Sequence, residues 1–126
     1  MLTGVIINKE ASLNNFKEIG SVSFIPGEQI LVNFRVYDQD NDIRYVLPAT
    51  ADVVLTFNLV DGESLSKTAS IIDSQDLSMW SVELSEIETQ NLLGGNSQFE
   101  IDVLGDGSVV KKGIINNGLQ RVVTGC

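Results

Sequence analysis

Three carboxylates at alternate positions, Asp38, Asp40 and Asp42 in VYDQDNDIRYVLP, are the residues best spaced for chemistry. That chemistry would be the holding of a hard cation by oxygen ligands. An EF-hand loop opens this way, but it also needs Gly at its sixth position and a bidentate Glu at its twelfth. Counted from Asp38, those positions hold Ile43 and Ala49, and Pro48 disfavours a helix after the loop. Two readings remain. Asp38, Asp40 and Asp42 converge on calcium in a looser site, or they form a solvated hairpin tip whose charges discourage edge pairing. The hairpin tip is the expectation, and no cofactor is expected.

Other chemistry is narrowed by what the chain contains. It has no histidine, so Ser-His-Asp and Cys-His catalysis and His-ligated metals are unavailable. Its one cysteine, Cys126, is the last residue and cannot form an internal disulfide. It reads as a terminal thiol without the base and polarised pocket that a nucleophile needs. Hydrolysis by two carboxylates requires acids converging on one cleft. The 17 acids instead fall on wet strand faces, in turns or at a helix start. Gly105-Asp-Gly107 lacks the following helix of a phosphate loop. The expectation is a protein that is not an enzyme, with no catalytic residues. Tyr37 and Tyr45 bracket the acidic loop as candidates for an aromatic contact surface, with ordinary cross-strand pairing as the simpler role. Trp80 and Phe99 are expected in the core.

The elements that must position these residues alternate with period two. Ile30, Val32, Phe34 and Val36 share one face; so do Val53, Leu55, Phe57 and Leu59. Trp80, Val82 and Leu84 form a third such set, and Phe99, Ile101 and Val103 a fourth. This is the pattern of antiparallel strands with one buried face. Further strands are expected at 4–8, 21–25, 67–72, 109–115 and 119–123. Asp106-Gly107 and Asn117-Gly118 read as tight hairpin tips. One segment differs: Ser85 with Glu88 makes a capping box, Ile87 and Leu92 or Leu93 turn inward, and Gly94-Gly95 ends a short helix near 86–93.

The expected fold is therefore all-β, an immunoglobulin-like two-sheet antiparallel sandwich with one short connecting helix; a small closed barrel is the alternative. Residues 21–126 form the single domain, and 1–20 an extension or first strand. A net charge of −9 and scattered bases argue against direct contact with nucleic acid or an anionic membrane. No signal peptide or apolar span of about 20 residues is visible, so synthesis in a cytoplasm is expected.

The run from Val53 to Val123 resembles the immunoglobulin-like modules of tailed-bacteriophage virions. The resemblance lies in Thr56-Phe57 with Leu59 before Asp61-Gly62, then Thr68 to Ile71, Trp80 to Thr89, Gly94 to Val103, Asp106 to Val109, and Gly113 to Ile115. That family includes N-terminal modules of baseplate upper proteins and small head or tail accessory proteins. The resemblance implies a virion structural protein that binds other virion subunits in multiple copies on a symmetric assembly. The solitary acidic domain favours capsid decoration over tail or baseplate attachment. The alternative function is a carbohydrate- or receptor-binding module.

Overall fold

The fold, taken from a computed structural model, is described for residues 1–9, 16–108 and 110–122. In chain order the elements are β1 (Leu2–Lys9), β2 (Phe16–Glu18), β3 (Val22–Phe24), β4 (Ile30–Asp38), β5 (Ile43–Arg44) and β6 (Asp52–Asn58). There follow β7 (Ser64–Thr68), β8 (Ser70–Asp73), β9 (Asp76–Leu84), α1 (Glu86–Gln90), β10 (Gly95–Asp102) and β11 (Val110–Arg121). Cys126, Val123 and Val109 lie outside the described residues.

The chain is all-β with one short helix, consistent with a β-sandwich. The alternating residues face where their period places them: Val32, Phe34, Val36, Val53, Leu55, Phe57, Trp80, Val82, Leu84, Phe99 and Ile101 are all buried. The half containing β6, β10 and β11 closes over the half containing β4 and β9. Across that interior the rings of Phe34 and Phe99 lie 6.2 Å apart and tilted by 37°, an arrangement favoured by ring quadrupoles.

Four expectations are corrected, three by the strand pairing and one by the helix bounds. The strands form one continuous hydrogen-bonded sheet in the order β7-β6-β10-β11-β1-β4-β9-β8, with β2 on β1, β3 on β11 and β5 on β4. It is mixed rather than antiparallel, because β11 runs parallel to both β1 and β3. The helix covers 86–90 rather than 86–93, and Leu92 and Leu93 lie past its end. Within it Ile87 faces solvent while Thr89 is buried; Leu92 is buried and Leu93 exposed. Thr89 Oγ1 donates to Glu28 O and accepts from Gly27 N, so a hydroxyl, not Ile87, anchors the helix to the β3–β4 loop.

Asn117-Gly118 is not a hairpin tip. It lies inside β11, where Ser97 pairs with Ile115 and Gly95 with Leu119. Two steps along β10 therefore match four along β11, which is a bulge. The same Asn-Gly chemistry that suits a tight turn also suits an irregular strand. Asp106-Gly107 does lie in the loop of the β10–β11 hairpin, with both Gly105 and Gly107 at positive φ.

The two ends of the pairing order belong to one stretch of chain. Ala69 alone separates β7 from β8. Its amide donates to Val53 O of β6 at 2.8 Å, and the next residue, Ser70, pairs with Ser81 of β9. An extended backbone directs its polar groups alternately to either side. Residues 64–68 are thus bonded to β6 and residues 70–73 to β9, so one extended stretch joins the two ends of the pairing order. The opposite seam is β1, bonded to β11 and to β4 over the same residues Leu2–Gly4. Leu2–Lys9 is thus an interior strand of the sheet. The seam is narrow because its core-facing positions carry glycine. A Cβ on Gly113 would fall 2.2 Å from Phe99 Cζ, and one on Gly4 would fall 2.4 Å from Ile115 Cγ1.

Candidate functional site

The acidic loop is built as a turn. Asp38 accepts from Asn41 Nδ2 at 2.7 Å and from Asp40 N at 3.2 Å, and Asp42 takes a φ of 54°. Asp40 pairs with the amino group of Met1. The Asn41 side chain is the main influence holding the Asp38 carboxyl below its ordinary range. The three carboxylates of this loop thus take separate roles. Among the described residues, no three His, Cys, Asp or Glu side chains gather as metal ligands.

The flanking tyrosines lie on opposite faces. Tyr37 is opposite Arg44 on the outer face of β4. Tyr45 donates its amide to Val36 O and packs partly against the core, with Lys111 Nζ 5.6 Å from its ring centroid. They do not make a shared aromatic surface.

Among the described residues Arg35 is the buried cation, and sequence reasoning missed it. Arg35 sits on the outer, nominally wet face of β4, yet its side chain is 5% exposed. Its Nη2 lies 3.2 Å from Asp76 Oδ2 and 2.9 Å from Met79 Sδ, and its Nη1 lies 3.7 Å from Glu18 Oε1. Arg44 Nη1 reaches the same Asp76 oxygen at 3.2 Å, and the other oxygen accepts from the amide and hydroxyl of Ser78. Burial raises the Asp76 carboxyl, but the Ser78 hydrogen bonds and the two guanidinium groups outweigh it and hold its pKa below the ordinary value. The cover comes from the β1–β2 hairpin, whose Glu18 meets Arg35, and Ile7 and Met79 are buried as well. This ion cluster fastens β2, β4, β5 and the start of β9 together. Its geometry is that of a clamp.

Among the described residues, two grooves stand out on the surface. The first, of about 500 Å³, crosses the outer faces of β1, β10 and β11 over Thr3, Gln98, Glu100, Lys112 and Ile114. Lys112 and Glu100 face each other there at 3.6 Å. The second, of about 640 Å³, lies over Leu31, Asn33, Ile72 and Asp73. Each groove holds a single carboxylate, Glu100 or Asp73, whereas two-carboxylate hydrolysis needs a facing pair.

The outer sheet face is laid out in registered rows. Ser66, Thr56, Gln98, Ile114, Thr3 and Tyr37 are successive cross-strand partners over β7, β6, β10, β11, β1 and β4. Thr56 and Ser66 share a hydroxyl hydrogen bond of 2.9 Å. Such a row presents hydrogen-bonding side chains across successive strands. At its end, β7 is bonded within the sheet only to β6.

No protein-family model matches the chain, and no curated protein matches it. Among the described residues, no helix is long and apolar enough to cross a membrane.

Proposed function

We propose that the chain is a structural docking protein of a tailed-bacteriophage virion, an immunoglobulin-like module that binds other virion subunits, with capsid decoration favoured over tail or baseplate attachment. The observation that carries this reading is where the residues behind the resemblance sit. They fall on seven consecutive elements, from β6 to the first half of β11, and on loops between them, at positions with definite physical duties. Phe57, Trp80, Phe99 and Ile115 fill the interior. Ser85 and Glu88 form a complete capping box, Gly113 clears space for Phe99, and Ser108 closes the β10–β11 loop on Asp106.

The surface chemistry agrees with docking. A sheet whose two ends are joined through Ala69 gives a stiff body, and the registered hydroxyl and amide rows give it a hydrogen-bonding face. Copies bound to a symmetric lattice gain effective concentration, so a weak contact repeated many times suffices.

The test is incorporation. The chain, tagged and supplied during growth of the phage whose genome encodes it, should copurify with particles through a density gradient at a stoichiometry set by particle symmetry. Recovery only in the soluble fraction would remove the proposal. Binding of the isolated chain to an immobilised glycan panel, without incorporation, would favour the carbohydrate-binding alternative.

A further inference from the structure

At one end of the pairing order, strand β7 is bonded within the sheet only to β6. Leu59 N donates to Glu63 O at 3.0 Å and Ala69 N to Val53 O at 2.8 Å. These bonds fix the odd-numbered residues of the segment as the ones whose backbone faces β6. The even residues Ser64, Ser66 and Thr68 then direct their N–H and C=O groups to the opposite flank, and all three are exposed.

We propose that this flank accepts an extended, basic strand of a partner protein, which adds to the sheet beside β7. The inference rests on the docking reading and names its contact surface. Unpaired backbone groups in a row select an extended backbone, because only a strand satisfies them at the right spacing.

The devices that normally protect an edge are missing here. Residues 64–68, SLSKT, contain no proline and no bulge. The one charge, Lys67, does not stand guard: its Nζ is drawn to both carboxylate oxygens of Glu88 at 2.9 Å. Natural edges lacking such protection are pairing sites.

Charge selects the occupant. Asp61 and Glu63 lead into β7, and Glu86 stands exposed at the start of α1. The nearby cation is already engaged by Glu88. A second copy of this chain would bring another net charge of −9 to an acidic edge, which long-range repulsion disfavours. A strand carrying Lys or Arg at alternate positions is attracted instead.

The experiment uses the whole chain with a nine-residue peptide of alternating lysine and valine, and the aspartate-for-lysine peptide as control. Amide exchange is read residue by residue at low salt. The lysine peptide should slow exchange at Ser64, Ser66 and Thr68 by roughly tenfold or more, and the aspartate peptide should leave it unchanged. Ser66→Pro removes one outward amide and leaves the β6 ladder intact, so it should abolish the protection. Ser66→Lys keeps the amide and adds a repelling charge, so it should weaken binding even if the proline variant fails to fold.

No protection, protection elsewhere, or equal protection in both variants overturns the proposal. Concentration-dependent dimerisation that Ser66→Pro abolishes replaces the basic partner with a second copy and overturns it too. Particles that incorporate the chain although the lysine peptide is not bound would defeat this inference and leave the docking reading standing. Peptide binding by a chain absent from particles would do the reverse.

Discussion

Gly113 lies directly across from Phe99 in the β10–β11 ladder, and a Cβ there would sit 2.2 Å from Phe99 Cζ and 2.7 Å from Leu2 O. One absent methyl group therefore admits both the largest ring of β10 and the parallel contact with β1.

Gly113→Ala is expected to destabilise the fold by about 1–3 kcal/mol, the range for forcing a methyl group into a filled interior. Adding Phe99→Leu should recover part of that loss, because the smaller side chain withdraws from the clash. Urea denaturation of the two single variants and the double variant measures both effects. Simple additivity would show that Gly113 matters for some reason other than the ring.

Asp76→Asn should cost about 2 kcal/mol, since it leaves Arg35 buried with a weakened set of partners. Arg35→Met, which removes the buried charge as well, should cost less than leaving it unpaired. The comparison is again by denaturant midpoint at neutral pH.

The pH dependence has a definite sign. The Asp76 carboxyl in the folded protein lies below its ordinary value of 3.8. Its contribution is therefore complete above about pH 4 and is lost as pH falls through the folded value. Glu88 is lowered as well, first by the Ser85 amide and then by Lys67. Stability measured from neutral to acid pH should decline below about pH 4, and Asp76→Asn should make that decline shallower.

The helix supplies a separable pair of effects. Ser85→Ala should cost about 1 kcal/mol by leaving the Glu88 amide without its cap. Glu88→Gln keeps an acceptor for the Ser85 amide and loses only the ion pair to Lys67, so it should cost less than about 1 kcal/mol. Thermal melts of the two variants distinguish capping from charge.

With Asp38 and Asp40 engaged by Asn41 and Met1, millimolar calcium should move the melting temperature by less than about 1 °C. A larger rise would mean that ligand binding stabilises the folded chain and would restore the cation site at Asp38, Asp40 and Asp42.

Period two made the interior readable in advance: every residue from Val32 to Val36 and from Val53 to Phe57 that alternation turned inward is buried. The same rule failed at Arg35, because whether an outer face stays wet depends on what folds over it. Here the cover is a hairpin whose own sequence carries little signal. It failed again at Ala69, where one extended stretch changes neighbours without a turn residue to announce it. The parallel contacts of β11 were equally hidden. Partner choice joins residues more than a hundred positions apart, as Leu2 and Gly113 are, and local pattern contains no record of it. At the candidate site, the acidic turn stood out by composition. The β7 edge did not, since openness is a property of the neighbours a strand lacks.

The splice at Ala69 has a mechanical consequence. A layered sheet with loose margins unravels from its outermost strand inward. In this molecule the two terminal strands of the pairing order, β7 and β8, are joined through Ala69 alone, so neither can peel away without pulling on the other, and the amides of the strands between them should be the last to exchange.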